Sequence, residues 1–117
     1  KENLVFNHLK ENTSLTPGII EFLKTMKKEE KTMILATSTI RKFCISIIKQ
    51  YNLSQFFNYL LCAEDVSNGK PNPEIYIQAL KISDNPIQRC LVFEDSTSGI
   101  EAADLANIDV IMITNNN

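Results

Sequence analysis

Two adjacent carboxylates, Glu94 and Asp95, follow the apolar run Cys90-Leu91-Val92-Phe93. Side by side at the end of a buried segment such groups repel, and burial raises their pKa values unless a cation lies beside them. A hard divalent ion such as Mg²⁺ meets that need through oxygen ligands. Lys70 lies in the loop Gly69-Lys70-Pro71-Asn72, a few residues before a helix start. There the positive helix end disfavours a cation by about 0.3–1 kcal/mol, and an anionic partner removes the conflict. Thr37 and Ser38, after Met33-Ile34-Leu35-Ala36, can turn hydroxyls and backbone amides toward a phosphate oxygen. Donors, an ammonium and a carboxylate pair are the groups that phosphoryl transfer needs for positioning and charge neutralisation. Each also has a plainer reading. Asp95 or Ser96 could simply cap a helix with Glu94 in water, Lys70 could be a solvated loop lysine, and Thr37 and Ser38 could be helix caps. What favours a site is that all of them fall just after a strand.

The elements that must carry these residues alternate. A helix is expected from Pro17 to about Glu30, entered through Thr16-Pro17-Gly18, with Ile19, Ile20, Leu23 and Met26 as its apolar stripe. Met33–Ala36 is short and continuously apolar, as a strand covered on both faces should be. Ile40 to Tyr51 then reads as a helix buried through Phe43, Ile47 and Ile48, and Tyr59 to Ala63 as a second strand. A helix opening at Pro73 and running to about Ile82, the strand Cys90–Phe93, a helix from Ser98 to Asn107 and the strand Val110–Ile113 complete the pattern. Single-helix crossovers of this kind give an α/β doubly wound parallel sheet, with ligands beyond the carboxyl ends of the strands. Residues 1–14 fit poorly: Leu4, Val5, Phe6 and Leu9 suggest a short amphipathic helix, so this stretch is expected to be a linker or the end of another domain, ahead of a core over residues 15–117.

Composition narrows the function classes. The 117 residues carry a net charge of -2 with interspersed signs, and no basic stripe points to nucleic acid. No apolar run approaches the ~20 residues that span a bilayer, so no membrane partner is expected and the cytosol is the default compartment. Cys44, Cys62 and Cys90 are widely spaced among aliphatic neighbours, as packed, reduced thiols would be. His8, the single histidine, lies in the stretch set apart from the core and is not expected to act as a base.

Taken together, Ile34-Leu35-Ala36-Thr37-Ser38, Gly69-Lys70-Pro71-Asn72-Pro73 and the stretch from Val92 to Ala103 closely resemble the second, third and fourth motifs of the haloacid dehalogenase superfamily. Leu15-Thr16-Pro17-Gly18 looks like the opening of that family's core after a helical cap, and the nearest branch is that of β-phosphoglucomutase and sugar-phosphate phosphatases. The resemblance implies a Rossmann-like core and a Mg²⁺-dependent phosphohydrolase acting on a small phosphorylated metabolite through an aspartyl-phosphate. It implies that Thr37 binds the transferring phosphoryl group with Ser38 beside it, and that Lys70 neutralises both nucleophile and phosphate. Asp95, helped by Glu94, would hold Mg²⁺. The family's first motif, an Asp-x-Asp pair on a central first strand, occurs nowhere in the 117 residues. A gap at the centre of the sheet is therefore expected, to be filled by a missing amino-terminal segment or a complementing chain. A phosphomutase, and a non-catalytic subunit that binds phosphate esters, are the alternative readings.

Overall fold

A computed structural model describes residues 18–113 and the backbone of residues 3–7. Five strands run in the order β1 (Asn3–Asn7), β2 (Thr32–Ala36), β3 (Tyr59–Leu61), β4 (Cys90–Glu94) and β5 (Asp109–Met112) along the chain. Four helices join them: α1 (Ile19–Lys28), α2 (Arg41–Gln50), α3 (Glu74–Ser83) and α4 (Thr97–Leu105). The sheet is parallel throughout, with spatial order β3-β2-β1-β4-β5. The strand order reverses at β1, and the crevice for a ligand opens there.

Alternation along β2 sorts its side chains between two cores. Met33 and Leu35 pack with Ile19 and Leu23 of α1 and Cys44, Ile47 and Ile48 of α2. Ile34 and Ala36 face the other way, toward Ile75, Tyr76 and Ala79 of α3 and Ala102 and Ala103 of α4. Helices therefore cover both faces, as expected of a doubly wound sheet. Cys90 and Val92 of β4 share the second core, while Phe93 meets Phe22 edge-on at 5.1 Å beside the first. Cys44, Cys62 and Cys90 are all free and buried. No described helix is long and apolar enough to cross a membrane.

Several expectations change. The central gap is absent: Asn3–Asn7 fills it, pairing with β2 on one side and with β4 on the other, Asn7 opposite Glu94. A vacant centre would leave the facing amides and carbonyls of β2 and β4 without partners, and the continuous run Leu4-Val5-Phe6 suits a strand better than the short helix read from it. The Thr16-Pro17 helix entry and His8 lie outside the described residues. α1 begins at Ile19 behind Gly18, whose φ of 85° is left-handed backbone that glycine adopts without strain. Phe43 is 43% exposed; the inner stripe of α2 runs through Cys44, Ile47 and Ile48. The strands β3 and β5 are edges, with Tyr59, Ile111 and Met112 exposed.

Leu23→Ala is expected to cost about 2–5 kcal/mol, because Leu23 is fully packed. Phe43→Ser should stay within about 0.5 kcal/mol of wild type. Urea denaturation midpoints measure both.

Candidate active site

The site grows from the carboxyl ends of β2 and β4. Thr37 continues the β2 ladder, its amide donating to the Leu61 carbonyl at 2.9 Å, which leaves it 2% exposed. Its hydroxyl oxygen accepts the Thr39 amide at 3.1 Å. Ser38 next to it is exposed. Both line a cleft of about 260 Å³ together with Ser67, Gly69, Lys70 and Ile75.

Lys70 reaches this cleft on a loop that α3 pins down. The Glu74 carboxylate, in the first turn of α3, accepts the amides of Ser67 at 2.8 Å and Asn68 at 2.9 Å, and the Asn72 side chain accepts the Glu74 amide at 3.0 Å. From there the Lys70 side chain, 3% exposed, turns inward. Its ammonium donates to Glu94 Oε2 at 3.1 Å and lies 3.5 Å from the Ala36 carbonyl oxygen.

Glu94 stands two residues beyond Val92, so the period of the strand aims it at α3 and away from water. Its side chain is 0% exposed. Oε2 accepts from Lys70 and from the Tyr76 hydroxyl at 2.7 Å. Oε1 accepts the Asp95 amide at 3.0 Å, the Ser96 amide at 3.2 Å and the Ser96 hydroxyl at 3.1 Å. Ser96 also caps α4 by accepting the Gly99 amide at 3.0 Å. Gly99 is obligatory there, since a Cβ would lie 2.0 Å from Glu94 Cδ.

Burial works to raise the Glu94 carboxyl, but the Lys70 charge, the Tyr76 and Lys70 hydrogen bonds and the Ser96 amide outweigh it and hold the group below the usual glutamate range. Burial pushes the Lys70 ammonium down, against the charges of Glu94 and Asp95, which push it up. Burial and the adjoining Glu94 charge push Tyr76 far above the usual phenol range, so its hydroxyl stays protonated and donates.

Of the residues read from sequence, the structure brings Thr37, Ser38 and Lys70 to one cleft and sets Glu94 and Asp95 at the adjoining strand end. The cation that the structure sets beside the carboxylate pair is the Lys70 ammonium, and five donors reach the Glu94 oxygens. Asp95 is half-buried beside it. No group of three His, Cys, Asp or Glu side chains suited to a metal occurs among the described residues. Mg²⁺ commonly takes one or two carboxylates plus phosphate oxygens and water, so Asp95 fits as one ligand of a site completed by others. Tyr76, Gly99 and Glu74 are not singled out by the sequence, and Ser96, read there as a possible helix cap, is that cap and a partner of Glu94 as well. The only local signal was the two-residue period Cys90, Val92, Glu94, which points Glu94 inward.

The chain is similar to known proteins along nearly its whole length. The pattern of the family described as haloacid dehalogenase-like hydrolase matches residues 2–113. A phosphorylated carbohydrates phosphatase of Thermotoga maritima is 36% identical over 95% of this chain and 50% of its own length. The chloroplastic 5-amino-6-(5-phospho-D-ribitylamino)uracil phosphatase of Arabidopsis thaliana is 33% identical over 76% of this chain and 24% of its own. Among solved structures, CbbY of Rhodobacter sphaeroides in complex with phosphate superposes with a TM-score of 0.79 at 28% identity, covering 84% of this chain and 45% of that one. A β-phosphoglucomutase candidate from Thermotoga maritima gives 0.78 at 34%, covering 88% and 50%. The chain thus spans about half the length, or less, of these relatives.

Gly99→Ala is expected to lower stability by about 1–3 kcal/mol through overpacking against Glu94, measured by thermal unfolding. A pH prediction follows from the lowered Glu94 pKa. The stability this gives is present above the ordinary value of 4.5 and lost as pH falls through the lower native value. Below about pH 4.5 the wild type should lose stability more steeply than Glu94→Gln, in denaturant titrations across pH 2–7.

Proposed function

Because this chain belongs to the haloacid dehalogenase-like hydrolases, we propose that the protein carrying it is a Mg²⁺-dependent phosphohydrolase of small, sugar-phosphate-like metabolites. The observation that carries the reading is the buried Lys70 ammonium, held by Glu94 at the wall of the cleft where Thr37 and Ser38 stand. A cation with little solvent of its own and a hydroxyl donor beside it suit a phosphate dianion. The phosphatase relative from Thermotoga maritima supports the substrate class.

In this reading the substrate's phosphoryl group lies between Thr37 and Lys70. The Thr37 hydroxyl and the amides following β2 bind its oxygens, and Lys70 offsets their charge. Asp95 would hold Mg²⁺, which when bound supplies further neutralisation of the phosphate. An aspartate from outside these 117 residues attacks phosphorus and the ester P–O bond breaks, releasing the alcohol. Water then hydrolyses the aspartyl-phosphate, dividing one difficult displacement into two easier ones. That aspartate would have to reach the carboxyl end of the central strand, where Asn7 lies opposite Glu94. No nucleic acid or membrane partner enters, and the free, buried thiols suit the cytosol.

Two other readings rest on particular observations. Likeness to the β-phosphoglucomutase candidate favours a phosphomutase, which would return the phosphate to a sugar. The lack of an Asp-x-Asp pair favours a non-catalytic or complementing subunit. The test is phosphate release from a panel of small phosphate monoesters by the full-length protein with and without Mg²⁺. Metal-dependent release supports the hydrolase. Isomerised sugar phosphate without release indicates the mutase, and binding without turnover indicates the non-catalytic subunit. Asp95→Ala is expected to lower Mg²⁺-dependent turnover by about 100-fold or more, and full activity in that variant would sink the assignment of Asp95.

A further inference from the structure

An ammonium carries three N–H donors and a carboxylate oxygen two lone-pair directions. At Lys70 one donor is spent on Glu94 Oε2 at 3.1 Å and another faces the Ala36 carbonyl at 3.5 Å. Among the described residues the third has no acceptor, and Lys70 lines the cleft. Tyr76 bears on how firmly the carboxylate holds that ammonium. Its hydroxyl donates to the same Oε2 with a bond of 2.7 Å, so it competes with Lys70 for that oxygen. Oε1 already accepts from Asp95 and Ser96. The Tyr76 ring meanwhile lies 5.2 Å from the Lys70 nitrogen, a cation–π distance. One side chain, itself 0% exposed, thus touches both members of the pair.

We propose that Tyr76 is a positioning residue: by sharing Glu94 with Lys70 and backing the ammonium with its ring, it leaves one Lys70 N–H directed at an anion in the cleft. Packing alone does not call for a hydroxyl here, since phenylalanine would fill nearly the same volume in the α3 core. The hydroxyl is placed where it limits how much of the carboxylate the lysine can take. Without it, Lys70 would sit deeper on Oε2 and an incoming phosphate would meet a cation already committed. The inference rests on the proposed function for the identity of the anion, and on the geometry alone for the division of Glu94.

The test is binding of inorganic phosphate to the full-length protein by calorimetry at one pH, without substrate, for wild type and Tyr76→Phe. Wild type is expected to bind, and Tyr76→Phe to fold and bind about tenfold more weakly. In ¹⁵N-selective spectra the Lys70 ammonium signal should move on phosphate addition in the wild type and stay nearly fixed in the variant. A second variant places 3-fluorotyrosine at position 76, which keeps the shape but donates more strongly, and should bind phosphate more tightly. This holds the question open to refutation if Tyr76→Phe does not fold. Equal phosphate affinity across the variants that fold, or no phosphate binding by the wild type, overturns the inference. Phosphate binding that depends on Tyr76 with no turnover of any monoester sinks the hydrolase reading alone.

Discussion

The buried ion pair between Lys70 and Glu94 is the constraint around which the rest of the molecule is arranged. Removing two unit charges from water costs several kcal/mol per ion, and the loss is recovered only when every lone pair and proton finds a partner. Glu94 meets that condition through Lys70, Tyr76, the Asp95 amide and both donors of Ser96. The demand spreads outward. Ser96 has to begin α4 just where β4 ends, Gly99 has to leave room for the carboxylate beneath the first turn, and Tyr76 has to arrive on α3 from the same face of the sheet. The apolar core fixes the layers, and this pair fixes how their ends meet.

Such a pair is weak evidence for stability by itself, because a well-packed apolar replacement often serves as well. Its position is more informative than its energy. It lies at the carboxyl ends of β2 and β4, where a doubly wound sheet binds ligands, and its cation borders an open cleft. The ordinary uses of a lysine, a solvated head on an apolar stem, are all absent here. A burial that pushes the ammonium toward losing its proton is tolerable if anions on both sides hold it charged, one built in and one arriving.

Much of this was legible in the sequence because the strands are continuous apolar runs and the polar groups stand directly after them. β2 and β4 were read to within one residue, and Thr37, Ser38 and Lys70 came together as expected. What escaped was set by distance along the chain. Tyr76 and Glu94 are eighteen residues apart, and only the fold shows that one sits over the other. Gly99 passes for an ordinary helix residue until the space beneath it is known. Phe43 was misassigned because Phe43 and Ile47 share helical spacing as well as Cys44 and Ile47 do, and apolarity cannot separate the two faces. Asn3–Asn7 was missed because three apolar residues between asparagines are too short a run to distinguish strand from helix.

The way the site is assembled bears on the place of the first strand. Lys70 is held by Glu94, the Ala36 carbonyl and the Tyr76 ring, and Thr37 by the Leu61 carbonyl and the Thr39 amide. Among the described residues these contacts come from β2, β3, β4, α3 and the loops following them. Together they form a half-site of cation and hydroxyl, and the central strand is set beside it by backbone pairing with β2 and β4. Asn7, opposite Glu94 in register, ends the central strand beside this half-site without a carboxylate. A strand with the same pairing and an aspartate at that end would meet an ammonium already in place. Under the proposed function the division of labour would be physical: a segment bearing an aspartate would bring the nucleophile, and this half-site would bring the cation, the hydroxyl and the carboxylate that keep the transferred charge in balance.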